Sequence, residues 1–280
     1  MQHFQISLAE HFPLLGAEGC TPILEAYLPD NLAEMNRQTQ TRPCMLILPG
    51  GGYGMVSDRE GEPIAMHLLP QGYDVFVLRY SVAPHRFPTQ LREVAAAMEL
   101  IHTNANNWHC DTGRIAIMGF SAGGHLAAHY TTCYACDPVR EVFPQSKPVQ
   151  ACVLSYPVIT ADPQHAHQGS FQKLLGRYPE TEEEFSFFSC DRQVSANTPP
   201  TFLWHTAADN LVPVMNSLLY AQALSRHNVP YELHIYPHGW HGLATADPQT
   251  NGQLPAEFSY VKDWIPAMLQ WLNATFQHNL

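Results

Sequence analysis

Charge is scarce in this chain, with only 14% of its 280 residues being Asp, Glu, Lys or Arg. Basic side chains are the rarer kind: 14 Lys and Arg, scattered, against 25 Asp and Glu, for a formal net charge of -11. Binding a phosphate backbone needs clustered Lys and Arg, so this balance excludes a nucleic-acid partner and disfavours attraction to anionic membranes. It suits a neutral or cationic substrate better than a polyanion. Long apolar runs are also missing, and none approaches the roughly 20 residues of a membrane-spanning helix. The first ten residues, Met1 to Glu10, lack the basic start and continuous apolar core of a signal peptide, so a soluble cytoplasmic protein is expected.

A disulfide framework is absent too, because seven cysteines are an odd number and few for this length. Reduced thiols are expected, and Cys133-Tyr-Ala-Cys136, despite its redox-like spacing, reads as packing near a helix end. The sixteen histidines raise the question of metal. His165-Ala-His167 and the i, i+4 pair His125/His129 have suggestive spacings, but Leu126 stands where a zinc protease would carry Glu. These histidines read as surface residues or as supports for other groups, and no metal is expected.

What is present is apolar material, 45% of the chain, enough for a substantial core in one large α/β domain over residues 1–280. Residues 4–8 and 23–28 read as two leading strands at a sheet edge, followed by a polar loop over 31–42. Further strands are expected at 44–48, 74–80, 115–118, 150–155, 201–205 and 231–236. Helices are expected at 59–69, 87–104, 122–130, 214–227 and 260–276. Residues 160–200 read as an irregular insertion, a candidate partial lid, with an acidic helix-like piece at 180–188. Its Phe171, Tyr178, Phe185, Phe187 and Phe188 read as anchors. Strands alternating with helices from residue 44 onward predict a mostly parallel sheet with helices on both faces, and a ligand site at the carboxyl ends of the strands.

One turn gives that scaffold a chemistry. Gly119-Phe-Ser121-Ala-Gly123 joins the strand at Ile115–Met118 to the small-residue helix beginning at Ala122. It fits the G-x-S-x-G nucleophile elbow, in which glycines on either side let strand and helix close around a strained serine. Gly124 clears further space. The Ala122 amide would sit at a helix N-terminus, where an oxyanion can accept its hydrogen bond. A second unusual stretch is Pro49-Gly-Gly-Gly-Tyr-Gly54 at the end of a buried strand. Glycines there weaken regular structure, but they leave the amides of Gly51 and Gly52 open to a developing negative charge.

A serine hydroxyl needs a base, and the base needs a third group to hold its tautomer. Asp209, in the loop after the 201–205 strand, is the favoured acid over Asp162 in the loop after 150–155. His238 and His241 share one loop after the last strand, and the residues alone do not separate them.

Five stretches jointly resemble an α/β-hydrolase of the esterase/lipase type, close to the small carbohydrate acetyl esterases, the acetyl-xylan-esterase-like or "endo-1,4-β-xylanase-like" group. They are Pro49 to Tyr53, Tyr80 to Pro84 with Phe87-Pro88, Gly119 to Ala127, Leu203 to Asp209 with Val212-Pro213, and Tyr236 to Gly242. Position by position, the resemblance implies Ser121 as nucleophile, Asp209 as acid and His241 as base, with the amides of Gly51, Gly52 and Ala122 as the oxyanion hole. Pro49 stands where relatives of the hormone-sensitive-lipase type have His, which leaves Tyr53 open as an amide donor beside Gly51 and Gly52. With 48 residues before Pro49, the large cap of those lipases is not expected.

The implied activity is hydrolysis of short acyl esters, acetyl in the first place, of carbohydrates, with a small-molecule ester as partner and no cofactor. A serine peptidase or amidase on the same scaffold and a non-catalytic binding protein are the alternatives. A homo-oligomer is neither required nor excluded.

Overall fold

The apolar runs lie side by side in one eight-stranded sheet in the computed structural model, which describes residues 1–16 and 19–277. In chain order the strands are β1 (Gln2–Ser7), β2 (Ile23–Leu28), β3 (Arg42–Leu48), β4 (Asp74–Arg79), β5 (Cys110–Phe120), β6 (Ala151–Ser155), β7 (Thr201–Thr206) and β8 (Tyr231–Tyr236). Their spatial order is β1-β2-β4-β3-β5-β6-β7-β8. β1 and β2 pair antiparallel at one edge, β2 pairs antiparallel with β4, and every other pairing is parallel.

A parallel sheet covered on both faces needs apolar side chains at every position of its central strands, which is why β3 to β7 read as continuous apolar runs. Successive residues serve opposite faces. Leu46, Leu48, Ile115, Ile117 and Leu154 pack on one side. That face is covered by α2 (Thr89–Thr103), α3 (Ala122–Cys133) and α6 (Met215–Arg226). Met45, Ile47, Met118, Phe120 and Trp204 pack on the other, under α1 (Glu62–Leu68) and α7 (Trp264–Phe276).

Two segments depart from the sequence reading. β5 begins at Cys110 rather than Ile115, because Arg42 pairs with Cys110 across a register shift that polar residues 111–114 accommodate. Residues 160–200 are ordered rather than irregular: besides α5 (Glu182–Phe188), at the expected acidic helix-like piece, they carry α4 (Gln168–Leu175), which the sequence reading lacks. The helical period in α4 is faint because few positions are buried: Ser170, Phe171 and Leu174. At α5, Thr181 accepts from the Glu184 amide, and the Glu184 side chain closes a capping box that outweighs an aromatic-rich composition. The five aromatics of this segment pack on the helix-covered core, as anchors do. Among the described residues no helix is long and apolar enough to cross a membrane.

His125 and His129 are not on the surface; they are 0% and 1% exposed on α3. Because the Phe188 carbonyl accepts from His125 Nε2–H at 2.9 Å, Nδ1 is left to accept from the Tyr53 hydroxyl at 2.8 Å. The helix after Ser121 is thereby tied to the glycine loop after β3. Burial, against the pull of the Phe188 bond, pushes His125 down to about 4 from its ordinary 6.5. Between those values the unfolded chain binds a proton that the folded chain refuses. Stability should therefore fall as pH drops from about 6.5 toward 4, by up to about 1.4 kcal/mol per pH unit for this group. His129, also pushed down by burial, adds a slope of the same sign. Urea midpoints measured across this range should fall with pH, and His125→Gln should flatten the dependence whatever its absolute stability. An unchanged slope would remove His125 from this account.

Candidate active site

The strand ends dictate where chemistry can gather. In-register parallel pairing aligns Leu48 with Gly119, Phe120 with Ser155, Ser155 with Trp204, and Thr206 with Tyr236, so the exit loops of β3, β5, β6, β7 and β8 open at one edge. Ser121 stands there between β5 and α3 at φ 54, ψ -120. This left-handed geometry costs a non-glycine residue on the order of 1–3 kcal/mol. The flanking glycines make the turn possible by close approach: a Cβ at Gly119 would meet the Gly123 carbonyl at 2.2 Å, and one at Gly123 the Leu48 carbonyl at 2.1 Å.

The loop after β7 brings Asp209 and the loop after β8 brings His241. His241 Nδ1 lies 2.6 Å from Asp209 Oδ2, and its Nε2 lies 2.7 Å from Ser121 Oγ. Asp209 Oδ1 accepts from the amides of Leu211 and Val212, both at 2.9 Å. Its Oδ2 also lies 3.3 Å from His205 Nε2. Burial alone would push the Asp209 carboxyl up, yet the bonds from His205, His241 and Val212 hold it well below the usual carboxylate range. An ionised carboxylate can only accept, so Nδ1 of His241 carries the proton and Nε2 is free to accept from the serine hydroxyl. His205 is itself fixed, with Nε2 3.0 Å from the Val212 carbonyl and Nδ1 2.8 Å from Ser217 Oγ.

The rival residues do not join this cluster. Asp162 Oδ1 caps its own turn by accepting from the Gln164 amide at 3.0 Å. His238 is exposed and faces a separate depression with Asn210 and Trp240.

Ser121 and His241 open into a cavity of about 370 Å³ that Gly51, Gly52, Met55, Glu60, His167 and Leu211 also line. A larger depression of about 690 Å³ between Ala246 and Lys262 includes none of these side chains. Among the described residues no acceptor engages the amides of Gly51, Gly52 or Ala122. Tyr53 does not line the cavity, and its side chain is spent on His125.

A family model described as BD-FAE matches residues 26–224. The chain belongs to the BD-FAE family. It is 38% identical over 235 residues to the endo-1,4-beta-xylanase B of Butyrivibrio fibrisolvens, covering 79% of this chain and 35% of that protein. It is 32% identical to the acetylxylan esterase of Xylanibacter ruminicola over 244 residues, covering 85% and 47%. The chain thus spans only about a third to a half of the length of these curated relatives. Among solved structures, the acetyl ester-xyloside bifunctional hydrolase from Caldicellulosiruptor lactoaceticus superposes with a TM-score of 0.83 at 37% identity, covering 99% of this chain and 97% of that one. The α/β-hydrolase fold expected from the sequence is therefore the fold of this BD-FAE chain.

Two supports of the site are invisible in its motifs. Glu60 is buried beneath the glycine loop, where its carboxylate accepts from the Gly50 amide and from the Tyr156 hydroxyl, each at 2.7 Å. Tyr156 follows β6 at φ 37, takes the Ala244 amide on its oxygen at 3.0 Å, and sets its ring edge-on to His241 at 5.0 Å. One carboxylate–phenol pair therefore fixes the glycine loop, the histidine loop and the imidazole itself. The local sequence Asp58-Arg-Glu60-Gly, read as the start of a helix at 59–69, gives no hint of burial; only a strand-exit position marks Tyr156.

The charged lining differs from what the whole-chain balance suggested. Arg59 and Lys173, both exposed, line the cavity in a chain whose net charge is -11. Among the described residues no metal-binding cluster involves the histidines noted above. Among the described residues, the grouping of ligand atoms within 4.8 Å is Cys44, Asp74 and Cys110, at the amino ends of β3, β4 and β5, where Asp74 already faces Arg42 at 3.4 Å.

Proposed function

We propose that this chain is a serine esterase that removes short acyl groups, acetyl foremost, from carbohydrate esters. The observation that carries the reading is the unbroken relay from Ser121 Oγ through His241 to the ionised Asp209, opening beside three unengaged amides. Ser121 Oγ attacks the ester carbonyl carbon while His241 Nε2 takes the hydroxyl proton. Asp209 holds the imidazolium, and the amides of Ala122, Gly51 and Gly52 donate to the oxyanion of the tetrahedral intermediate. Collapse breaks the bond to the alcohol oxygen, which receives the proton from His241 and departs, leaving acyl-Ser121. Water, deprotonated by His241, then releases the acid and restores the serine. The names of two relatives, an acetylxylan esterase and an acetyl ester-xyloside hydrolase, support acetyl as the acyl group and a sugar as the alcohol.

Incubation with acetylated xylo-oligosaccharides should release acetate. On 4-nitrophenyl esters, kcat/KM should be at least about tenfold higher for acetate than for octanoate, because each methylene beyond the pocket's reach costs binding. Cleavage of aminoacyl amides without any acetate release would replace the reading with a peptidase.

A further inference from the structure

Acids outnumber bases 25 to 14 in this chain, and its long-range field repels anions. Some surface arginines are drawn into ion pairs, Arg79 with Glu25 and Asp58, Arg92 with Glu141, Arg177 with Glu184, and Arg192 with Glu182, whereas the exposed Arg37, Arg86, Arg140 and Arg226 have none among the described residues. At the mouth of the serine cavity, unpaired cations stand beside the reacting serine. Arg59 and Lys173, one of only three lysines in the sequence, line it with no ion pair or hydrogen bond among the described residues.

The two cations approach different loops of the site, Arg59 the histidine loop and Lys173 the glycine loop. A Cβ at Gly242, next to His241, would lie 3.3 Å from Arg59 Nη2, and one at Gly54, behind the glycine loop, would lie 2.5 Å from Lys173 Nζ. The two carboxylates of the site do not answer them, because both are buried and every oxygen is engaged. Glu60 accepts from Gly50 and Tyr156, and Asp209 from Leu211, Val212 and the histidines. The charges a substrate meets on entering are therefore both positive. His167, whose Nδ1 lies 2.8 Å from Ser170 Oγ, presents a further polar group from α4.

We propose that the cavity selects short esters carrying a carboxylate, with Arg59 or Lys173 binding that anion while Ser121 reaches the ester carbon. The inference rests on the esterase reading and adds a substrate class to it: an O-acetylated sugar acid if the anion lies on the alcohol, or a dicarboxylic acid half-ester if it lies on the acyl side. Two unpaired cations at a partly screened surface should favour such a substrate by about 3- to 30-fold in kcat/KM.

Two matched pairs separate these sources. Acetyl glucuronate against acetyl glucose tests the alcohol side, with acetate release as the readout. Monomethyl glutarate against methyl pentanoate tests the acyl side, with methanol release as the readout. At low salt the anionic member of at least one pair should show the higher kcat/KM. The advantage should shrink on raising ionic strength to about 0.5 M, where charges are screened beyond roughly 4 Å. In Arg59→Gln or Lys173→Gln the ratio of anionic to neutral kcat/KM should fall toward one. Neutral substrates turned over as fast as anionic ones in both pairs would overturn the inference and leave the esterase reading standing. An advantage that survives both substitutions would overturn the assignment to these cations. No turnover of any of the four would sink the esterase reading and this inference with it.

Discussion

Ser121→Ala should lower hydrolysis of 4-nitrophenyl acetate by roughly 10⁴-fold or more while the protein stays folded. The size of the effect follows from the chemistry: without Oγ no acyl-enzyme forms, and the remaining amides can only assist direct attack by water. The fold should survive because alanine removes one oxygen and leaves the strained φ 54 turn, held by Gly119 and Gly123, as it was. A fluorophosphonate should label the parent chain at Ser121 and fail to label the variant. Turnover near the parent's rate in Ser121→Ala would remove the acyl-enzyme mechanism.

The second large effect lies in a loop that carries two histidines. His241→Ala should also reduce turnover by roughly 10⁴-fold, because the Ser121 proton then has no acceptor and the serine stays a neutral hydroxyl. His238→Ala should leave turnover close to the parent's, since His238 is exposed and faces another depression. The pair is decisive in both directions, and loss of activity only on the His238 change would overturn the assignment. Unfolding in urea guards against a trivial explanation. His241→Ala leaves the Asp209 carboxylate buried but still bonded to two amides and near His205, so a moderate loss of stability, not collapse, is expected.

Glu60 and Tyr156 connect these residues to the scaffold. Their single 2.7 Å bond joins the loop after β3 to the ring that packs on His241. A separate buried pair, Tyr53 and His125, ties the helix after Ser121 to the same glycine loop. Buried polar pairs are stable only when every member is satisfied, and here both oxygens of Glu60 are.

Where chemistry is written into neighbouring residues, the chain could be read directly. The elbow Gly119 to Gly123 joins a β-branched run to a small-residue helix, and local sterics alone make that turn. Alternating elements from residue 44 onward require a parallel sheet, since each strand is apolar on both faces, and chain order placed Ser121 before Asp209 before His241. His238 and His241 could not be separated without knowing the family pattern, because three residues apart in a loop says nothing about which ring faces β5. That choice, the burial of Glu60 under the glycine loop, and the convergence of Arg59 and Lys173 on the mouth of the cavity belong to the tertiary structure. Each depends on which distant strand ends stand side by side, a property of the packed sheet that no local run of residues carries.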